Sequence, residues 1–532
     1  MLFNSYLFLL VFLPVALLGY YALGMAHRRL AACWLCLASL VFYGWWNPQY
    51  VALLLLSIAF NYLASQALLA SAPWPRAQTA LLTAAIAANL GLLFYYKYLA
   101  ALFAFLADAG LVAHELDALI LPLGISFFTF TQIGYLLDCK GGVVHERSAL
   151  NYTLFVTFFP HLIAGPVLHH KEMMPQFADR ATYRFQAENL SIGGALFAIG
   201  LAKKVLLADS VAHWAEAGFA EPDALRLWSA WGASLSYALQ LYFDFSGYSD
   251  MALGLAKMFG VRFPLNFNSP YKAASIIDFW QRWHMTLTRY LNDYLYNPVA
   301  MALSRRRARR GLPVGRRAAA SAAGFAQLVL LPTGFTMLLA GVWHGAGLQF
   351  LVFGLLHAGY LALNHAWRAF AGQRQQAPAG ALRRAVRHAG GVALTLLAVL
   401  VGQAFFRADG VAGALSLLAG MSGQHGVEAL PGWPWSGIEG GAALRSEDML
   451  RLLVARWSET IQISLLFLIV WCMPNSQQIM GAFSPALKPA SGAAPRWLQW
   501  RPSAGWLAVT LCMLAAALLS MHKETKFLYF QF

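Results

Sequence analysis

Charge is scarce in this chain. Asp, Glu, Lys and Arg make up 11% of its 532 residues, less than half of the roughly 25% usual in soluble domains. Acid is scarcer than base, 23 residues against 38, giving a net charge of +15. Such a balance could suit a nucleic-acid binder. Its distribution argues against one, because the arginines gather in short runs between apolar segments and no nucleic-acid-binding module is recognisable. Cysteine is sparse as well, at five residues, with no metal-ligand spacing. Cys33-Trp-Leu-Cys36 has the spacing of a redox pair, but it lies in an apolar stretch with no nearby base to make a thiolate. Packing is the simpler reading. Internal repeats are missing too, which disfavours the paired halves common in transporters. No basic leader precedes the first apolar run, so that run is expected to be a retained span and not a cleaved signal.

What is there is apolar. Hydrophobic residues make up 59% of the chain, and runs of them recur along its whole length. Candidate spans fall at 6–23, 30–43, 51–69, 80–96, 153–168, 192–207, 228–243, 326–339, 348–363, 392–406, 461–472 and 507–519. At about 20 residues per crossing, the expectation is an all-α, polytopic integral membrane protein. It should have roughly ten to twelve transmembrane helices, with shorter runs tilted, re-entrant or interfacial.

Arg28 and Arg29 follow the first span, which by the positive-inside rule makes that loop cytoplasmic and the N-terminus external. The same rule, with anionic lipid as neighbour, accounts for the run Arg305, Arg306, Arg307, Arg309, Arg310, Arg316 and Arg317. It also accounts for Arg374, Arg383, Arg384 and Arg387. One transmembrane domain, 1–532, is expected: an N-terminal bundle at 1–110, a polar-studded functional core at 121–370, and C-terminal helices at 371–532. Within the last part, 421–459 reads as a soluble, outward-facing loop. Its Glu428, Glu439, Glu447, Asp448 and Glu459 outnumber Arg445, Arg451 and Arg456. The stretch 474–502, with Lys488, Arg496, Arg501, Trp497 and Trp500, suits a membrane interface.

One titratable group stands out against this background. His344 lies within residues 318–367, which contain no Asp, Glu, Lys or Arg. Ionisable groups inside such a segment are functional candidates. Desolvation disfavours a charged imidazole, and a neutral one can accept a proton from a hydroxyl as a general base. Gly341, Gly345 and Gly347 around it let a ligand or another backbone come close. The competing reading is a small-residue helix contact with His344 bonded across it.

A second histidine emerges from periodicity. On one helix spanning 278–296, Asp278, Arg282, Arg289 and Asp293 share a face, with Asp278–Arg282 and Arg289–Asp293 as opposite-charge pairs four apart. His284 falls on the opposite face with Trp280, Leu287, Leu291 and Leu295, pointing to the interior of an interfacial helix. A core histidine bonded to a carbonyl would show the same pattern. Asp244 and Asp250 are expected to pair with Lys257 or Arg262, or to line a wet cavity. His161, His169 and His170 read as interfacial. His357 and His365 have no carboxylate beside them, so no metal is expected there. Ser246 and Ser249 lack triad partners at any recognisable spacing.

Several motifs resemble those of the membrane-bound O-acyltransferase (MBOAT) family: Phe159-Pro-His-Leu-Ile-Ala-Gly-Pro166 with Met174-Pro-Gln176, Asp244-Phe-Ser-Gly-Tyr-Ser-Asp250 running on to Gly260, Phe267-Asn-Ser-Pro-Tyr271, Asp278-Phe-Trp-Gln-Arg-Trp-His284, and Trp343-His-Gly-Ala-Gly347. The resemblance runs from the first span to the final Phe527-Leu-Tyr-Phe-Gln-Phe532. It is strongest to the alginate O-acetylation (AlgI) type and weaker to the D-alanyl transfer branch of teichoic acid synthesis. It implies an acetyltransferase of the bacterial inner membrane. Acetyl-CoA would be the cytoplasmic donor, no cofactor would be permanently bound, and a periplasmic or membrane-anchored polysaccharide acetyltransferase would be the partner. It implies His344 and His284 as catalytic positions. The same motifs nominate Trp343, Asp278, Arg282, Trp283, Asp244, Asn268 and Tyr271 as substrate-binding positions. The chain departs from the alginate type after Tyr296, where Asn297-Pro-Val leads into the arginine run, so the acceptor polysaccharide stays open. Other acyl transfers to an envelope polymer, a transporter or flippase using Asp244, Asp250 and Lys257, and a docking scaffold are the alternatives.

Overall fold

The computed structural model describes the whole chain except residues 113–115, 118, 316–317, 372–379, 429–445, 490, 522–526 and 529–532. Of 371 and 446–456 only the backbone is described. Most of the expected soluble loop at 421–459, together with Arg316, Arg317 and Arg374, therefore lies outside the described residues. Among those residues the structure is helical, without strands.

A π-wound turn (Phe8–Phe12) leads into α1 (Leu13–Ala26), followed by α2 (Arg28–Gly44), α3 (Gln49–Ala70), α4 (Pro75–Lys97) and α5 (Leu99–Asp108). The middle of the chain forms α6 (Ile125–Lys140), α7 (Ala149–Thr157), α8 (Phe159–Leu162), α9 (His170–Ala178), α10 (Ala187–Ala202), α11 (Asp209–Ala220) and α12 (Leu227–Met258). Short helices α13 (Ile276–Trp280) and α14 (Met285–Leu291) precede α15 (Asn297–Arg309), α16 (Ala322–Phe325), α17 (Leu331–His344) and α18 (Leu348–Ala366). Last come α19 (Ala381–Arg407), α20 (Val411–Met421), α21 (Ser446–Cys472), α22 (Ser476–Ile479) and α23 (Ala504–Ser520).

Six helical stretches among the described residues are long and apolar enough to cross a membrane by length and composition: Phe8–Ala26, Gln49–Ala70, Pro75–Lys97, Ala187–Ala220, Ala322–His344 and Ala381–Arg407. The chain is a multi-pass membrane protein. Several other expected spans are shorter apolar helices, such as Trp457–Cys472 and Ala504–Ser520. The run at 153–168 is broken after Thr157, where Pro160 enters the first turn of α8. That break turns the segment back into the bundle. His161, His169 and His170 are consequently buried, not interfacial.

The centre is α12, whose 32 residues extend about 48 Å at 1.5 Å per residue. It is buried almost continuously from Ala230 to Met258. It packs antiparallel on α10 along a glycine seam. A Cβ at Gly254 would come within 2.6 Å of the Gly193 carbonyl oxygen, and one at Gly247 within 2.7 Å of the Gly200 carbonyl oxygen. Small residues of this kind let helix backbones meet in membranes. Gly254→Val forces the two helices apart, and overpacking of this sort costs about 1–3 kcal/mol. A lowered thermal unfolding midpoint in detergent is the expected result, and an unchanged midpoint would contradict the seam.

Basic residues collect at one end of the bundle. Arg28 donates to the Ala178 carbonyl at 2.5 Å, and Lys140 to Thr79 Oγ1 at 2.9 Å. At the opposite end Trp45, Trp46, Lys97, Gly124 and His344 surround a common cavity.

Candidate functional site

The expected single helix at 278–296 is interrupted at the residue of most interest. Helix α13 stops at Trp280, and His284 takes a left-handed conformation (φ 42°, ψ 52°) before α14 begins. Asn266 causes the break. Its Oδ1 lies 2.9 Å from His284 Nδ1 and accepts from Thr286 N at 3.3 Å and Thr286 Oγ1 at 2.8 Å. Its backbone oxygen takes the Met285 N–H at 2.9 Å. Tertiary acceptors thus replace the helical ones, and hold a backbone conformation that costs of order 1–3 kcal/mol in a non-glycine residue. They also fix the ring. An oxygen accepting from Thr286 N is an acceptor toward His284 as well, so the Nδ1 carries the proton and the Nε2 carries the lone pair.

The charged face also re-pairs. Asp278–Arg282 forms as expected, at 2.7 Å. Arg289 instead grips Glu172 with two bonds of 2.6 and 2.8 Å. The π-wound turn Asn292–Tyr296 carries Asp293 off the Arg289 face. As the sequence pattern predicts, His284 points inward and is 1% exposed.

His344 is the last residue of α17 and is 7% exposed. Its ring meets Phe406 edge to face at 4.9 Å and Phe353 at 5.9 Å. Gly341 serves a helix contact: a Cβ there would strike the Phe350 carbonyl, with Gly354 beyond, where α17 crosses α18. The close-packing and functional readings of this motif are therefore compatible, because the glycine packs while the histidine faces open space.

That space is two cavities, and His344 lines both. The larger, about 480 Å³, is bounded by Trp45, Trp46, Lys97, residues 121–127 and Trp343, and so lies at the far end of α2 from Arg28 and Arg29. The smaller, about 40 Å³, lies among Trp280, Trp283, His284, Phe353, His357 and Phe406. His284 and His344, sixty positions apart in sequence, thus share one wall.

His357 is the functional-site residue that sequence reasoning undervalued, having weighed it only for metal binding. Its Nδ1 accepts from Trp280 Nε1–H at 3.3 Å, which leaves its proton on Nε2. Among the described residues no group of three His, Cys, Asp or Glu side chains is arranged to hold a metal.

The other nominated residues divide. Trp343 and Trp283 line the cavities, and Trp343 stacks on Phe130 at 5.4 Å. Tyr271 lies one layer back, donating to the Ala238 carbonyl and accepting from Gln403. Asn268 ties the α13 region to the C-terminal part through Ser491 and Asn475, while Asp278 and Arg282 stand beside it, partly exposed. Asp244 reaches neither cavity. It pairs with Lys204 at 2.6 Å and accepts from the Leu528 backbone N–H at 3.1 Å. Asp250 pairs with Lys203 at 2.6 Å and accepts from Ser476 and Gln477. The partners expected for these aspartates were Lys257 and Arg262. The π-wound turn Lys203–Ala208, which follows α10 and packs on α12, brings Lys203 and Lys204 to them instead.

Comparison with known proteins gives the family of the chain. The family model "MBOAT, membrane-bound O-acyltransferase family" matches residues 140–312, which include His284 but stop short of His344. The chain is 37% identical to the peptidoglycan O-acetyltransferase of Helicobacter pylori over 90% of each chain. It is 32% identical to the probable alginate O-acetylase AlgI of Pseudomonas aeruginosa over 100% of each. It is 28% identical to the teichoic acid D-alanyltransferase of Bacillus subtilis over 46% of this chain and 59% of that one. The protein is a membrane-embedded O-acyltransferase. It belongs to the membrane-bound O-acyltransferase family.

Proposed function

We propose that the protein moves an acetyl group from acetyl-CoA on the cytoplasmic side of a bacterial inner membrane to a hydroxyl presented from outside, for O-acetylation of an exported envelope polysaccharide. One observation carries the reading: His344 lines a 480 Å³ cavity large enough for a reactant and also the 40 Å³ space that it shares with His284. The positive-inside rule assigns the Arg28–Arg29 end to the cytoplasm, and the 480 Å³ cavity then opens outward. The names of the relatives, acting on peptidoglycan and on alginate, support a saccharide as final acceptor. The departure after Tyr296 leaves alginate as one case among several. A periplasmic or membrane-anchored polysaccharide acetyltransferase is the fitting partner for the outward face.

In this reading the acceptor O–H bond breaks as its proton passes to His344, and the oxygen bonds to the thioester carbonyl carbon. The carbon–sulfur bond then breaks, and the sulfur takes the proton back from the imidazolium. The products are an acetyl ester and free coenzyme A thiol. His284 with its Nε2 lone pair suits orienting the reacting hydroxyl better than donating to an oxyanion. Trp343 and Trp283 wall the meeting point. Purified protein given labelled acetyl-CoA and a soluble oligosaccharide as hydroxyl acceptor should release coenzyme A thiol in a His344-dependent way. A transporter or a docking scaffold would leave the donor intact, and that outcome would end the proposal.

A further inference from the structure

The helix that carries His344 ends without help from the residues that follow it. Gly345 leaves it fully extended (φ −170°, ψ 169°), and among the described residues no following backbone N–H closes its last turn. Terminal carbonyls left this way need partners from elsewhere. Two consecutive side chains of another helix supply them. Lys97 Nζ donates to the Trp343 carbonyl at 2.6 Å and to the His344 carbonyl at 3.1 Å. Tyr98 Oη donates to the Val342 carbonyl at 2.8 Å. Three successive carbonyls are thus held by adjacent residues at the end of α4. The ammonium also sits 5.9 Å over the Trp343 ring.

Lys97 is conspicuous in two further ways. It is the sole charged residue between Arg76 and Asp108, a placement that needs a reason inside a membrane protein. It is also the sole charged side chain among those lining the 480 Å³ cavity. A cation at a helix C-terminus stabilises that end against the helix dipole and against fraying.

We propose that Lys97 is a positioning residue for acyl transfer, clamping the C-terminal turn that presents His344 to the cavity. It rests on the reading of His344 as the base. Without the clamp the last turn loosens and the imidazole loses its fixed approach to the reacting hydroxyl. A displacement of about 1 Å at a reacting centre can cost about a hundredfold in rate. The effect falls on turnover for acetyl-CoA, because Lys97 lines the outward cavity whereas this donor arrives from the cytoplasmic side.

The test measures thiol release from acetyl-CoA, with a soluble oligosaccharide as hydroxyl acceptor, by full-length protein in detergent, for wild type, His344→Ala, Lys97→Met, Lys97→Arg and Tyr98→Phe. Lys97→Met should lower kcat by about ten- to a hundredfold with KM for acetyl-CoA within twofold of wild type. Lys97→Arg, which keeps the charge and the donors, should recover most of that loss. Tyr98→Phe, which removes one donor without touching the charge, should give a smaller fall in kcat. Amide hydrogen exchange at residues 342–347 should quicken in Lys97→Met and not in Lys97→Arg. Full kcat in Lys97→Met overturns the proposal, as does a loss confined to KM or an equal loss in the arginine variant. Wild-type protein that releases no thiol, or an active His344→Ala variant, sinks the underlying assignment of the base. If Lys97→Met fails to accumulate, the arginine and Tyr98→Phe variants decide: unaltered kcat in Tyr98→Phe or collapsed kcat in Lys97→Arg rejects the clamp.

Discussion

His344→Ala is expected to reduce acetyl transfer by about a hundred- to ten-thousandfold, the range that general-base assistance supplies, while protein level and membrane insertion stay normal. The chemical half of this expectation follows from position: among the described residues His344 is the one that lines both cavities. Removing it leaves the acceptor hydroxyl with no group to take its proton on the side where donor and acceptor meet. The structural half follows from what surrounds the ring. His344 contacts the edges and faces of Trp343, Phe353 and Phe406. Alanine removes those contacts but leaves the Lys97 and Tyr98 bonds, which are made to main-chain oxygens. Helix α17 therefore keeps its end. Thiol release measured beside membrane abundance separates the two halves, and retained release with normal abundance would remove His344 from the mechanism.

Asp244→Ala should act in the opposite manner, through stability first. Asp244 is 1% exposed and Lys204 2% exposed, with 2.6 Å between their charged atoms. Asp209 also contacts this lysine at 2.8 Å, and the second Asp244 oxygen accepts from Leu528 N. Alanine strips the ammonium of one of its two carboxylates and leaves the Leu528 N–H without its acceptor. Removing one partner of a buried pair costs about 3–5 kcal/mol. The expected outcome is a lower unfolding midpoint in detergent and reduced membrane yield, with activity falling in proportion to folded protein. A variant with wild-type stability but lost turnover would instead return Asp244 to the substrate-binding set that its motif suggested.

These residues also mark how far the sequence could be read. The helical class followed from apolar runs alone, because a bilayer demands that backbone groups be satisfied within the segment. The shared wall of His284 and His344 was half legible. Lack of charge singled out one and periodicity the other, but no local pattern states that residues sixty apart converge. The interruption at His284 was hidden because its cause, Asn266, competes for hydrogen bonds through tertiary structure. The lysine partners of Asp244 and Asp250 were hidden for a similar reason, since they lie in the turn that follows α10 and not within a few turns on α12. His357 carried a usable signal: it lies in the same uncharged stretch as His344, and asking only about metal passed over it. Lys97 carried one as well, as an isolated charge at the end of an apolar helix.

The three bonds converging on Asn266 Oδ1 have a consequence for tolerance to change. Neither cavity touches this amide, yet the His284 tautomer and both side-chain bonds to Thr286 depend on one oxygen atom, while the Asn266 backbone oxygen holds Met285 beside them. Variation at Thr286 would loosen only part of that arrangement, whereas losing the Asn266 side chain would remove all three of its bonds in a single step and leave only the main-chain bond to Met285. Fragility is thereby concentrated at a site remote from the reactants, and a survey of inactivating mutations should find it there as readily as at the histidines.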